Sequence, residues 1–180
     1  MRWAVAFLAF FLPASSALAA EPPDTDKLLD KLAHAGSAHE ARTIEHQLED
    51  LWSRSGSPTA DLLLERSEKA LDDDDTDTAQ AILVKLTNIA PSFAEGWHQR
   101  AEVDARMENF QDAMTSLRQV LALQPKHFGA LAELGEILED FGDKQHALAA
   151  YREALKLDPF MDGIDDRIRE LTRAVEGQGI

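Results

Sequence analysis

Val120-Leu121-Ala122-Leu123-Gln124-Pro125 is followed, 34 residues on, by Ala154-Leu155-Lys156-Leu157-Asp158-Pro159. It is preceded, at the same distance, by Leu86-Thr87-Asn88-Ile89-Ala90-Pro91. A mostly apolar run closed by proline reads as the last turns of a helix, because proline lacks an N–H and drives the residue before it out of the α region. Pro58 stands 33 residues before Pro91 and opens the series. Ala79, Ala113 and Ala147 recur at the same period, each followed four residues later by Leu83, Leu117 and Tyr151, and three further by Leu86, Val120 and Ala154. A small residue with apolar partners at i+4 and i+7 marks one face of a helix, with the small residue where another backbone can approach. Self-similarity at this spacing is the mark of a solenoid built from short helical hairpins.

Local chemistry fills in the hairpins. Asp75, Asn109 and Asp143 stand at equivalent places and are suited to cap the second helix of each pair. Glu108-Asn109 and Gly142-Asp143 read as the turns within repeats. Ser92 and Glu95 have the spacing of a capping box opening a first helix.

The period and these positions resemble the tetratricopeptide repeat. Residues 128–161 carry Leu131, Leu134-Gly135, Ala147, Tyr151, Ala154 and Pro159. Residues 94–127 carry Trp97, Ala101, Ala113 and Pro125, with Arg100 where Leu is usual and Asp104 where an aromatic is usual. Residues 60–93 carry Leu63, Ala70, Ala79 and Pro91, with Arg66 for Leu and Ser67 for Gly. The resemblance implies an all-α, right-handed solenoid whose three repeats fall within residues 58–161. It also implies that the first helix of each pair lines a concave face.

Residues 21–57 read as a divergent helical hairpin split at Gly36 and capping the front of the stack. Residues 162–176 place Ile164, Ile168, Leu171 and Val175 on one helical stripe that would cover the last repeat. Residues 177–180 form a tail, and residues 21–25 are expected to fray.

The first twenty residues are of another kind. Met1-Arg2 precedes an unbroken apolar run from Trp3 to Leu12, then Ala17-Leu18-Ala19-Ala20 and the polar Glu21. That order is a secretory signal peptide over 1–20, with cleavage after Ala19 or Ala20. The run is too short to span a bilayer as a mature helix. With such a leader the chain is expected to be exported, to a periplasm if bacterial, with no membrane span in the mature form.

Charge narrows the partners. The 180 residues hold 33 Asp and Glu against 18 Lys and Arg, a formal net charge of −15, and no cysteine. Such acidity disfavours nucleic acid and anionic lipid. Lack of cysteine excludes disulfides, thiolate metal sites and thiol catalysis. The implied groove positions concentrate the acidity: Asp61, Leu64, Glu65, Glu68, Leu71 and Asp72; Glu95, His98, Gln99, Glu102, Ala105 and Arg106; Gly129, Ala132, Glu133, Glu136, Glu139 and Asp140. Ten of these eighteen are acidic and one is basic. The second helices instead carry Lys85, Arg118, Lys144, Arg152 and Lys156 against Asp77, Asp112 and Glu153. The expectation is a non-catalytic scaffold or adaptor that takes a protein or peptide, basic in character, in an acidic groove. The Lys, Arg and Asn that clamp a carboxylate terminus in some family members are missing, Arg106 excepted.

Two rival readings stand beside it. The repeats could self-associate through end residues such as Trp52 and Phe160. The run Asp72-Asp73-Asp74-Asp75-Thr76-Asp77 could hold a cation, but an EF-hand counted from Asp73 needs Gly and Glu where Thr78 and Val84 stand. His39 and His46 share a helix without a third ligand, and His98, His127 and His146 show no ligand spacing, so neither a metal nor a cofactor is expected. No nucleophile elbow, phosphate loop or dinucleotide fingerprint is present, and no catalytic residue is assigned.

Overall fold

The computed structural model describes residues 23–177. The leader, Ala20 included, and residues 178–180 of the tail lie outside them. The described chain is all-α, with nine helices: α1 (Pro23–Ala33), α2 (Ala38–Trp52), α3 (Pro58–Asp72), α4 (Thr76–Ile89), α5 (Ala94–Arg106), α6 (Phe110–Leu123), α7 (Phe128–Asp140), α8 (Lys144–Leu157) and α9 (Ile164–Val175). Helices α3/α4, α5/α6 and α7/α8 are the three repeat hairpins; α4 packs on α5, α6 on α7 and α9 on α8.

The recurrent small and large residues build the core. Ala79, Ala113 and Ala147 are wholly buried, as are Leu83, Leu117 and Tyr151. Gly135 packs against Tyr151, and Ser67 and Ala101 hold the equivalent positions in the other two repeats. A Cβ on Gly135 would lie 2.7 Å from Cε1 of Tyr151, so the bulkiest member of the series demands glycine across from it. Where leucine replaces the tyrosine, Ala101 and Ser67 fit, and the Ser67 hydroxyl donates to the Leu64 carbonyl at 2.6 Å. The other departures in the second repeat answer one another: Arg100 Nε lies 3.5 Å from Oδ2 of the fully buried Asp104 and its guanidinium sits over Trp97.

Asp75 and Asp143 cap α4 and α8 through their side chains, while Asn109 precedes α6 without doing so. The turns place Asp74, Glu108 and Gly142 at equivalent left-handed positions, a conformation without steric cost only for Gly142. The capping box at Ser92 does not form. The N-cap of α5 is Phe93, one residue later than the box requires; its ring has no acceptor to cap with, and Glu95 lies toward two imidazoles described below.

The amino-terminal hairpin differs from expectation. It does not extend the stack in front of α3. Its apolar face, with Leu29, Leu32, Ile44, Leu48 and Trp52, packs on Phe128, Leu157, Phe160 and Met161, near the turns that enter α7 and leave α8. The reason is that this edge offers apolar surface of its own. Trp52 stacks on His127 at 4.4 Å between ring centroids, and Lys126 reaches Asp26 at 2.5 Å. Trp52 is therefore buried and Phe160 is packed, so neither is a free surface for self-association. Thr25 is also fully buried and α1 begins at Pro23, so residues 23–25 are not frayed. A cleft of about 480 Å³ remains between Trp52, Arg54 and Ser55 on one side and Pro91, Phe93 and Gln124 on the other.

This docking carries a pH dependence. Glu45 of α2 faces Asp158, the buried residue that ends α8, and its carboxyl is pushed up to about 7 by burial first and by the Asp158 charge second. The folded state thus holds a proton that the unfolded chain releases near the ordinary value. The associated stability is complete below that value and is lost as pH rises toward 7. Melting temperatures of the wild type and Glu45→Gln should coincide at about pH 4 or below and separate by pH 8, with the variant the more stable. A constant gap across that window would exclude Glu45 as the titrating group.

Candidate binding groove and its histidine centre

The first helices α3, α5 and α7 bring the acidic positions onto one surface. Glu68, Glu102 and Glu136, each one period apart, all have carboxyls raised above the ordinary value by burial first; neighbouring carboxylates add to it, and at Glu102 the His98 charge opposes it. Glu68 feels Glu95 of the next repeat, and Glu102 feels Glu133 of the one after, so the repulsion crosses from helix to helix. Glu65, Glu68, Asp72, Arg106, Glu136 and Asp140 are exposed, and Gln99 is half-buried with its amide 3.3 Å from Glu95 Oε1. Lys85, Arg118, Lys144, Arg152 and Lys156 on the second helices are exposed too, so the difference in charge between the two kinds of helix is carried by surface residues.

Two of the expected groove residues are committed elsewhere. Asp61 accepts from the backbone N–H of Ser55 at 2.8 Å and from its hydroxyl at 2.5 Å, closing the loop before α3. Glu139 accepts from the Tyr151 hydroxyl at 3.1 Å and lies 3.4 Å from Arg167 of α9, joining the last repeat to its covering helix.

At the centre of the groove the fold assembles histidines that the sequence keeps apart. The His98 and His127 rings lie 4.3 Å apart. His98 Nε2 is 2.7 Å from Glu133 Oε1, and His98 Nδ1 is 3.7 Å from Glu95 Oε1. His127 is the N-cap of α7: the Ala130 N–H donates to its Nδ1 at 3.1 Å. Its Nε2 is buried, lacks a hydrogen-bond partner among the described residues and faces Glu95 Oε2 at 3.8 Å.

Burial shapes the charges. It would lower His98, but Glu133 and Glu95 overcome that and raise it well above its ordinary value. It would raise Glu95, but the imidazoles of His127 and His98 hold that carboxyl far below the usual range. It lowers His127, which stays neutral. The centre is therefore an imidazolium between two carboxylates, with a neutral imidazole behind and the Glu102 carboxyl in front.

Reading ligand spacing along the chain missed this centre because its members come from α5, α7 and the turn between α6 and α7. Period arithmetic contains the signal: in a stack, residues about 34 apart are neighbours, and His98 and Glu133 are 35 apart. His127 also occupies the position held by Phe93 and Met161 in the flanking turns, a polar ring where apolar side chains stand.

The comparisons agree with this architecture. Residues 98–162 match the family model of the tetratricopeptide repeat. That match covers the second and third repeat hairpins, from α5 to α8. A TPR repeat-containing protein of Rhizobium etli is 28% identical over 152 residues, covering 84% of this chain and 74% of that one. The first TPR of Spaghetti (RPAP3), bound to an HSP90 peptide SRMEEVD, superposes with a TM-score of 0.61 at 20% identity, over 65% of this chain and 93% of that chain. The Yersinia enterocolitica type III secretion chaperone SycD, in complex with a peptide of the translocator YopD, gives a TM-score of 0.60 at 14% identity, over 69% of this chain and 97% of that chain. The likeness in both cases is one of fold. Among the described residues no helix is long and apolar enough to cross a membrane.

Proposed function

We propose that the protein is a non-catalytic scaffold or adaptor that binds a protein or peptide in the groove lined by α3, α5 and α7, and that it acts in the cell envelope after export. The observation that carries the reading is the bias of charge: α3, α5 and α7 hold eleven Asp and Glu against four Lys and Arg, whereas α4, α6 and α8 hold three against five. A merely acidic protein would spread its carboxylates over both. Two structural relatives hold peptides, which supports the mode of binding. The HSP90 peptide, SRMEEVD, has three acidic residues and one basic, and would be repelled by the groove described here. A basic or amide-donating segment is the complement.

The test compares two charge-neutralising triple variants in affinity capture from an envelope fraction. Glu65, Glu68 and Glu136 changed to Gln should lose the captured polypeptide and flatten the salt dependence of its binding, since exposed attraction is screened over about 8 Å at physiological salt. Asp77, Asp112 and Glu153 changed to Asn or Gln on the second helices should retain it. Equal loss from both would reduce the groove to net charge alone. Export is tested separately, by fractionation and by sequencing the amino terminus of the mature chain, which should begin at Ala20 or Glu21.

A further inference from the structure

We propose that His98 Nε2 and the carboxylates of Glu102 and Glu133 form a binding site for a divalent transition metal of the zinc kind, with Glu95 and His127 behind it as positioning residues. Two constellations in the groove have ligand atoms within 4.8 Å of one another: Glu95, His98 and His127, and His98, Glu102 and Glu133. They share His98, which can offer a metal only one nitrogen while the other keeps its proton.

Proton bookkeeping decides between them. His127 Nδ1 accepts the Ala130 N–H, so that nitrogen carries no proton and Nε2 does. A metal on Nε2 would shift the proton to Nδ1, opposing it to the Ala130 N–H and breaking the cap of α7. His127 is thus a donor toward Glu95, and its buried Nε2–H, lacking any acceptor closer than the Glu95 carboxylate at 3.8 Å, is aimed into the centre. It keeps Glu95 an anion that faces His98 Nδ1. With Nδ1–H directed to Glu95, His98 presents Nε2 to Glu133 and Glu102. This is the carboxylate–histidine–metal arrangement in which an outer carboxylate fixes the tautomer and orients the ring.

The chemistry of the donor set suits a borderline cation. One imidazole and two carboxylates give three protein ligands, the number that leaves zinc a further position open, here toward the groove. Three carboxylates around one imidazolium leave an excess of negative charge that a dication would reduce. His98 Nε2 and Glu133 Oε1, now 2.7 Å apart across a proton, need only separate modestly to admit a metal at about 2.0–2.2 Å from each. Trp52 and His98 hold the His127 ring between them, at 4.4 and 4.3 Å, so the outer partner is fixed by packing.

Titration calorimetry with Zn²⁺ alone, backed by the visible spectrum of the Co²⁺ form, tests the assignment on the full folded chain. The expected result is one ion per chain. Glu102→Gln and Glu133→Gln should each weaken binding by more than about tenfold while leaving the helical circular dichroism unchanged. His127→Asn keeps a side chain able to cap α7 and, by loosening the hold on Glu95, should weaken binding by about tenfold, less than removal of both ligand carboxylates. No stoichiometric binding by the wild type would overturn the proposal. So would unchanged affinity in both Gln variants, or loss of binding in His127→Asn while the Gln variants keep it.

Discussion

Trp52→Ala is expected to cost about 3–5 kcal/mol of unfolding free energy in chemical denaturation, the range for removing a large buried aromatic side chain. Trp52 is 6% exposed and ends α2 against His127 and Phe128, at ring separations of 4.4 and 5.6 Å. Its removal would undercut the contact by which the amino-terminal hairpin holds the edge of the repeat stack. Hydrogen exchange should then rise first in α1 and α2, with the three repeat hairpins still protected, because they share few apolar contacts with the hairpin beyond this edge. The indole N–H finds no acceptor among the described residues. Trp52→Phe should therefore give up ring area but no hydrogen bond, and lose much less. A Trp52→Ala protein within 1 kcal/mol of wild type, or one whose repeats exchange as fast as the hairpin, would show that the hairpin is only loosely laid on the stack.

Where the hairpin docks could not be read from the chain, and the reason is physical. Periodicity reports which residues share a face of one helix, and by that rule Leu28, Leu29 and Leu32 fall on one stripe and Ala41, Ile44, Leu48, Leu51 and Trp52 on another. It does not report which exposed edge that face will cover. The same limit hid the histidine centre, since His98 and His127 are joined by tertiary packing of different elements. By contrast, the repeat hairpins follow from nearest-neighbour contacts repeated at one interval, so Ala79, Ala113 and Ala147 disclosed their burial in advance. The capping box at Ser92 shows a local rule overridden. A carboxylate that could have capped α5 gains more from two imidazoles than from one backbone N–H. The paired departures Arg100 and Asp104 look like damage to the repeat pattern when taken singly, and only their proximity shows that each answers the other.

Gly135→Ala is expected to destabilise the protein by about 1–3 kcal/mol, the usual cost of forcing a methyl group into a packed core. The added carbon would meet the Tyr151 ring at 2.7 Å. The ring cannot swing aside freely, since it is fully buried and its hydroxyl donates to Glu139, which also lies against Arg167 of α9. The other repeats supply the remedy: where Leu83 and Leu117 stand in place of the tyrosine, Ser67 and Ala101 stand in place of the glycine. In a Tyr151→Leu background the same Gly135→Ala change should therefore cost almost nothing, or stabilise by up to about 0.5–1 kcal/mol, the advantage of alanine over glycine inside a helix. The double-mutant cycle should return a coupling of at least about 1 kcal/mol between these two positions. Effects that add to within about 0.3 kcal/mol would mean that α7 and α8 yield at this crossing, and that the tyrosine does not dictate the glycine.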